Sequence, residues 1–313
     1  MSLRVVFMGT PEFAVPSLKT IHEHFDLVAV VSQQDKKRGR GQKLLPTAVK
    51  KTAQQLGISV YCPENLSTDE VKQFFKEINP DIIVVAAYGK MIPQWLLDLP
   101  RLGCVNIHSS LLPRWRGAAP IHWAILSGDQ QTGVTIMKMV PKLDAGDIVL
   151  KQSTRISPED TIQTLHDRLA QIGAELIIEA LKRLEQGTVQ AQPQEDSLVT
   201  YASKLTKTME KAQFQELPEV VERQVRALGL WPGVSVVIEN QGKLKLKQVK
   251  ICRDRTFPPG QIQTEDQRLF LGCRDGSVEL VKVQWEGKKP VSGSDFVNQC
   301  RGSGISFPLF CLS

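Results

Sequence analysis

Short uninterrupted apolar runs punctuate the first half of the chain, and between them apolar residues recur at helical spacing. Residues 3–7, 27–31 and 82–86 read as buried, mainly apolar strands, and 58–61 as a short β-like segment. Thr10 reads as an N-cap with Pro11 at the first helical position. Thr47 opens a second helix with Val49, Ala53 and Leu56 on one face, closed by Gly57. Thr68 opens a third, whose Val71, Phe74, Phe75 and Ile78 follow i, i+3, i+4, i+7. This alternation predicts an α/β fold with a mostly parallel sheet covered on both faces. Ligands of such sheets lie beyond the strand carboxyl ends, which predicts one crevice lined by residues 9–11, 88–89 and 106–113.

A long amphipathic helix over 161–186 carries Ile162, Leu165, Leu169, Ile172, Leu176, Leu181 and Leu184 on its core stripe. Polar, turn-forming residues follow, so residues 1–188 are expected to form one domain and 189–206 an exposed linker. From 207 to 313 the pattern changes to one helix, with Val220, Val221, Val225 and Leu228, and then short strands at 234–238, 244–251, 269–273 and 277–283. In the second strand the alternation changes phase near Gln248, which predicts a β-bulge. A small, OB-like β-barrel is the expected package, an architecture that commonly binds nucleic acid.

At 313 residues and 42% hydrophobic content the chain is long enough for two cored domains. The longest apolar run, 82–88, falls far short of the roughly 18 to 20 residues that cross a bilayer, and the N-terminus enters a strand without a signal-peptide pattern. A cytoplasmic protein with no membrane partner is expected. Six cysteines without a CxxC pair point to reduced thiols and no metal site, and His22-Glu23-His24 reads as a polar helix end. The net charge of +6 is clustered: Lys36, Lys37, Arg38, Arg40 and Lys43 form one group, and Lys243, Lys245, Lys247, Lys250, Arg253 and Arg255 another. Two such clusters suit a polyanionic partner.

The densest chemistry lies between Gly103 and Pro120. In a strand, Asn106 and His108 share one face while Val105 and Ile107 share the other. The turn Leu143-Asp144-Ala145-Gly146-Asp147 supplies a carboxylate that can join them if the strand ends are neighbours. Amide, imidazole and carboxylate together suit acyl-group transfer. Gly9 lacks the further glycines of a dinucleotide fingerprint, and neither a Walker loop nor a Gly-x-Ser-x-Gly elbow is present. Ser109 and Ser110 read as loop caps rather than nucleophiles.

Residues 7–14, 39–46, 86–93, 106–120 and 132–147 carry a resemblance to the methionyl-tRNA formyltransferase family that extends over nearly the whole chain. The resemblance implies a Rossmann-like catalytic domain that moves the formyl group of 10-formyltetrahydrofolate to the α-amine of methionine on initiator tRNA. It makes Asn106, His108 and Asp144 catalytic, with Asp147 a decoy, and needs no metal or nicotinamide. Ser110, Leu111, Leu112 and Pro113 would line the folate site, with Ala86, Ala87, Tyr88, Gly89 and Val140 nearby. The loop 35–46 would engage the acceptor stem through Lys36, Lys37, Arg38, Lys43 and above all Arg40, with Lys204, Lys243, Lys245 and Lys247 as further tRNA contacts. A monomer is expected. The segment 207–214 lacks the family's usual acidic pair, and Ala-Leu-Gly-Leu stands before Trp231-Pro232, departures that touch only the second domain. Competing readings are a formyltransferase for a sugar-nucleotide or glycinamide amine, and an RNA-binding protein on a retired enzyme scaffold.

Overall fold

A computed structural model describes residues 3–38 and 43–312. Chain contacts divide it into two compact units, residues 1–120, 131–155 and 165–202 in one, residues 121–130, 156–164 and 203–313 in the other. Two short segments of the N-terminal half thus group with the C-terminal unit.

The first 202 residues run β1 (Arg4–Gly9), α1 (Val15–His24), β2 (Asp26–Val31), β3 (Lys36–Arg38), β4 (Lys43–Leu45), α2 (Ala48–Gln55), β5 (Val60–Tyr61), α3 (Asp69–Ile78), β6 (Ile82–Ala86), α4 (Gln94–Leu97), β7 (Cys104–His108), β8 (Arg116–Gly117), α5 (Pro120–Leu126), β9 (Gln131–Lys138), β10 (Ile148–Arg155), α6 (Ile162–Glu185) and β11 (Tyr201–Ala202). One sheet has the order β10-β9-β7-β6-β1-β2-β5. Its pairs from β7 to β5 are parallel, whereas β9 lies antiparallel to both β7 and β10. Every residue of β6 is buried, as an all-apolar strand flanked on both faces requires.

Thr47 and Thr68 cap α2 and α3, accepting from the backbone N–H groups of Lys50 and Val71 at 3.0 and 3.4 Å. Val71 and Phe75 are buried on the α3 stripe and pack with Val6, Met8, Ile83 and Val85 of the sheet. Burying one such side chain contributes about 1.5–3 kcal/mol. The expected cap at Thr10 is corrected: residues 12–14 form a 3-10 turn, α1 starts at Val15, and the Thr10 hydroxyl instead donates to the Tyr88 carbonyl at 2.9 Å. That hydroxyl ties the turn after β1 to the turn after β6, within the expected crevice. On the long helix α6, a Cβ added to Gly173 would stand 2.9 Å from Ile107 Cγ2, so the absent side chain lets the helix press against β7.

In the second unit α7 (Pro218–Leu228) precedes β12 (Ser235–Ile238), β13 (Gly242–Cys252), β14 (Gln261–Glu265), β15 (Arg268–Cys273), β16 (Gly276–Trp285), β17 (Val291–Ser292), α8 (Gly293–Gly302) and β18 (Leu309–Phe310). The antiparallel order β12-β13-β16-β15-β14-β18 is drawn toward closure by a bridge between Ile238 and Cys311. The β13–β16 register slips at Leu246, Gln248 and Val249, the bulge that the phase change predicted. No helix among the described residues is long and apolar enough to cross a membrane.

Candidate active site

Alternation along β7 places Asn106 and His108 on the same face. Asn106 is half-buried, and its side chain makes no hydrogen bond to another described residue. His108 is 5% exposed, and its Nε2 lies 2.9 Å from the Trp115 carbonyl oxygen. A carbonyl can only accept, so Nε2 carries the hydrogen and donates it. Nδ1 is therefore the nitrogen left for chemistry, and it stands 3.8 Å from Asp144 Oδ2. That distance is too long for a hydrogen bond. The carboxylate instead accepts from the Gly117 backbone N–H at 2.8 Å.

The path by which Asp144 arrives follows from the register. β9 ends at Lys138 beside Val105 near the start of β7, yet Asp144 reaches the imidazole of His108 at its end. The turn between β9 and β10 therefore folds back over β7. Asp144 takes a left-handed φ of 48° to do so. Asp147 spends its backbone carbonyl on Lys138 N–H.

Loop 109–117 is fastened from several sides. The Thr135 hydroxyl donates to the Ser110 carbonyl at 2.7 Å and accepts from Leu112 N–H at 3.1 Å. Ser110 is fully buried and donates its hydroxyl to the Arg114 carbonyl, and Leu112, 1% exposed, packs with Met137 and Ile148. Leu111 and Pro113 are half-buried. The Arg114 guanidinium lies over the Trp115 ring at 4.3 Å. Residues 192–202, within the expected linker, are exposed along most of their length but stitched to this loop and to β10. Trp115 N–H donates to Thr200 Oγ1, Arg116 N–H to the Thr200 carbonyl, β11 pairs with β8, and Gln192 bridges Ile148. The reason is an unpaired edge at β8 and at the start of β10, which the returning chain satisfies.

Of the other candidates, Ala86 and Tyr88 are buried while Ala87, Gly89 and Val140 are exposed. Tyr88 therefore presents backbone to the crevice, and its carbonyl also accepts from Gln33 Nε2 at 2.7 Å. Gln33 leads into the β3–β4 hairpin, whose root is clamped by Lys50 Nζ to Asp35 at 2.9 Å and by Ser32 Oγ to Thr47 Oγ1 at 2.6 Å. Lys36 is exposed and donates to Gln33 Oε1. Arg40 and the side chains of Lys37, Arg38 and Lys43 lie outside the described residues. In the second unit Lys243 is paired with Glu210 at 2.9 Å, while Lys204, Lys245 and Lys247 make no ion pair among the described residues. Trp115, Gly117, Thr135 and Gln33 were missed by sequence reasoning. Trp115 and Gly117 act through backbone atoms, Thr135 through a short hydroxyl and Gln33 through a single amide, none of which leaves a pattern to read.

Residues 3–181 match the family described as formyl transferase, and residues 204–301 match formyl transferase, C-terminal domain. Fold and site together thus define a formyl-group-transferring enzyme with an appended second domain. A methionyl-tRNA formyltransferase of Geobacter metallireducens is 42% identical over 300 residues, covering 96% of each chain. That of Caldanaerobacter subterraneus subsp. tengcongensis is 42% identical over 298 residues, 94% of this chain and 96% of that one. The chain belongs to the methionyl-tRNA formyltransferase family. Among solved structures, an N-formyltransferase of Helicobacter canadensis in complex with folinic acid and dTDP-3-aminofucose shares the fold at a TM-score of 0.66 and 19% identity, over 89% of this chain and 98% of that one. HypX of Aquifex aeolicus, solved with tetrahydrofolic acid, shares it at 0.63 and 18%, over 97% of this chain and 48% of that one.

Proposed function

We propose that this chain transfers the formyl group of 10-formyltetrahydrofolate to the α-amine of methionyl initiator tRNA. The observation that carries the reading is the approach of the Asp144 carboxylate to His108 Nδ1, on the strand face that bears Asn106, in a chain 42% identical to a methionyl-tRNA formyltransferase over its length. The amine nitrogen attacks the formyl carbon, the carbonyl oxygen takes up negative charge, the bond from carbon to the folate nitrogen breaks, and one proton passes from the amine to that nitrogen. The Asn106 amide N–H donates to the forming oxyanion. Nδ1 of His108, when protonated, donates to the same oxygen and then hands its proton toward the departing nitrogen. Nε2 takes no part, because Trp115 holds it. Asp144 faces the amine side as proton acceptor and as the charge opposite Nδ1. No metal enters the scheme.

The folate would lie along loop 110–113, against Ala87, Gly89 and Val140, with Ala86, Leu112 and Ser110 behind them. The β3–β4 hairpin, with Lys36, Lys37, Arg38, Arg40 and Lys43, would meet the acceptor stem, and Lys204, Lys245 and Lys247 would contact phosphates further along. Lys243 contributes less, since Glu210 already occupies its charge. The enzyme acts as a cytoplasmic monomer.

The deciding assay follows formyl transfer from 10-formyltetrahydrofolate with methionyl initiator tRNA, methionyl elongator tRNA and an aminosugar nucleotide as competing acceptors. Selective labelling of the initiator is expected. Transfer to the sugar alone would overturn the tRNA reading and keep the chemistry.

A further inference from the structure

Arg116 is the largest fully buried side chain among the described residues, at 1% exposed. A guanidinium is always charged, so its burial is costly unless its N–H groups find acceptors. The carboxylate near it, Asp196 Oδ1, lies 3.8 Å away on a side chain that is 80% exposed, an arrangement worth little. A nearer acceptor is Gln194 Oε1, which takes the Arg116 Nε hydrogen at 2.9 Å.

That bond dictates which way the Gln194 amide turns. A guanidinium only donates, so the amide must offer its oxygen to Arg116 and direct its two N–H groups the other way. Nε2 then donates to the carbonyl of Asp144 at 2.9 Å and to the carbonyl of Gly146 at 2.8 Å. Both belong to the turn that folds back over β7. This turn needs an outside hold: Asp144 has a left-handed φ of 48°, and a Cβ on Gly146 would run into the Lys138 carbonyl. The dipeptide Arg116-Gly117 therefore grips Asp144 twice, at the carboxylate through the Gly117 N–H and at the main chain through Gln194.

We infer that Gln194 is a positioning residue for the Asp144 carboxylate, oriented for that task by the buried Arg116. The inference rests on the proposed role of Asp144 in formyl transfer. Gln194 touches no reacting atom in this scheme; it sets where the carboxylate stands relative to Nδ1 of His108. Displacing a catalytic group by about 1 Å is enough to cost on the order of a hundredfold in turnover.

Two near-isosteric variants separate positioning from mere solvation of Arg116. Gln194→Glu keeps an oxygen for Arg116, and so keeps the segment folded, but sets an acceptor against two carbonyls. Gln194→Met fills the same volume with neither donor nor acceptor. Both are expected to lower kcat by roughly ten- to a hundredfold with KM for folate and for tRNA within about twofold. Combined with Asp144→Ala, Gln194→Glu should slow the enzyme no further, because its whole effect passes through the residue already removed. Backbone hydrogen exchange over 139–147 should rise in Gln194→Glu, with β1 and β6 unchanged. A Gln194→Glu enzyme with wild-type kcat and wild-type exchange over 139–147, or a double variant whose losses multiply, would overturn the inference. The exchange comparison needs no substrate. If the wild-type protein fails to formylate tRNA, the functional reading falls and the exchange data still decide whether Gln194 holds the turn.

Discussion

His108 commits one ring nitrogen to the Trp115 carbonyl, which leaves Nδ1, facing Asp144, for the proton transfers of the proposed scheme. Asn106 is the complementary case, an amide that makes no side-chain hydrogen bond among the described residues and has its N–H groups to offer. Asn106→Ala should lower kcat by about 10²- to 10³-fold, or roughly 2.7–4 kcal/mol, the usual loss for one oxyanion donor, with folate affinity within a few-fold. Single-turnover transfer alongside equilibrium folate binding measures the two separately; an unchanged kcat would remove the role. The thiols give a check of a different kind. Burial pushes the Cys104 and Cys273 thiols up to about 12, so neither should react with a thiol reagent near pH 8 until urea unfolds the chain, as mass spectrometry of labelled peptides would report. At this scale the sequence was legible where side chains share a strand face. Asn106 and His108 declare themselves by a period of two, whereas Trp115 and Gly117 contribute only backbone atoms and Gln194 sits in a polar stretch where one glutamine looks like the next.

Elements were legible in proportion to how local their causes are. The caps at Thr47 and Thr68 and the slip at Gln248 depend on neighbours within a few residues, and all three appear as read. Thr10 misled because its hydroxyl serves a turn 78 residues away rather than its own helix. Thr47 carries two duties, since it caps α2 and bonds Ser32, both groups being buried. Thr47→Ala should therefore cost about 1–2 kcal/mol for the cap and as much as 1–3 more for the stranded Ser32 hydroxyl, read as a lower urea midpoint. Gly173→Ala sets two effects against each other. Alanine gains about 0.8–1 kcal/mol of helix propensity, while overpacking against the branched, buried Ile107 costs about 1–3. The second wins, so the melting temperature should fall, and because Ile107 lies between Asn106 and His108, kcat should fall with it.

For the molecule as a whole, charge sets the response to pH and salt. Burial pushes the Asp81 carboxyl up, but the Arg4 backbone N–H and the Arg101 guanidinium more than reverse this and leave it below its usual 3.8. A hydrogen bond from Arg268 likewise holds Glu279 below its usual 4.5. Carboxyls depressed on folding contribute stability that is complete above their unfolded values and lost as pH falls through the folded ones. Urea midpoints should thus be flat from about pH 7 to 5 and drop below about 4, with Asp81→Asn flattening part of that drop. In the proposed reading the basic clusters meet tRNA phosphates, so affinity for tRNA should fall steeply with salt. The stitched segment 192–202 carries one more consequence, for modularity. It lies beyond the formyl transferase match at 3–181 and before the C-terminal match at 204–301, yet it supplies Gln194 to the turn that bears Asp144 and Thr200 to loop 109–117. A graft that exchanged the second domain at the family boundary near 181 would carry away the fastening of the turn that bears Asp144. A join after Ala202, where the last pair to β8 ends, keeps that fastening in place.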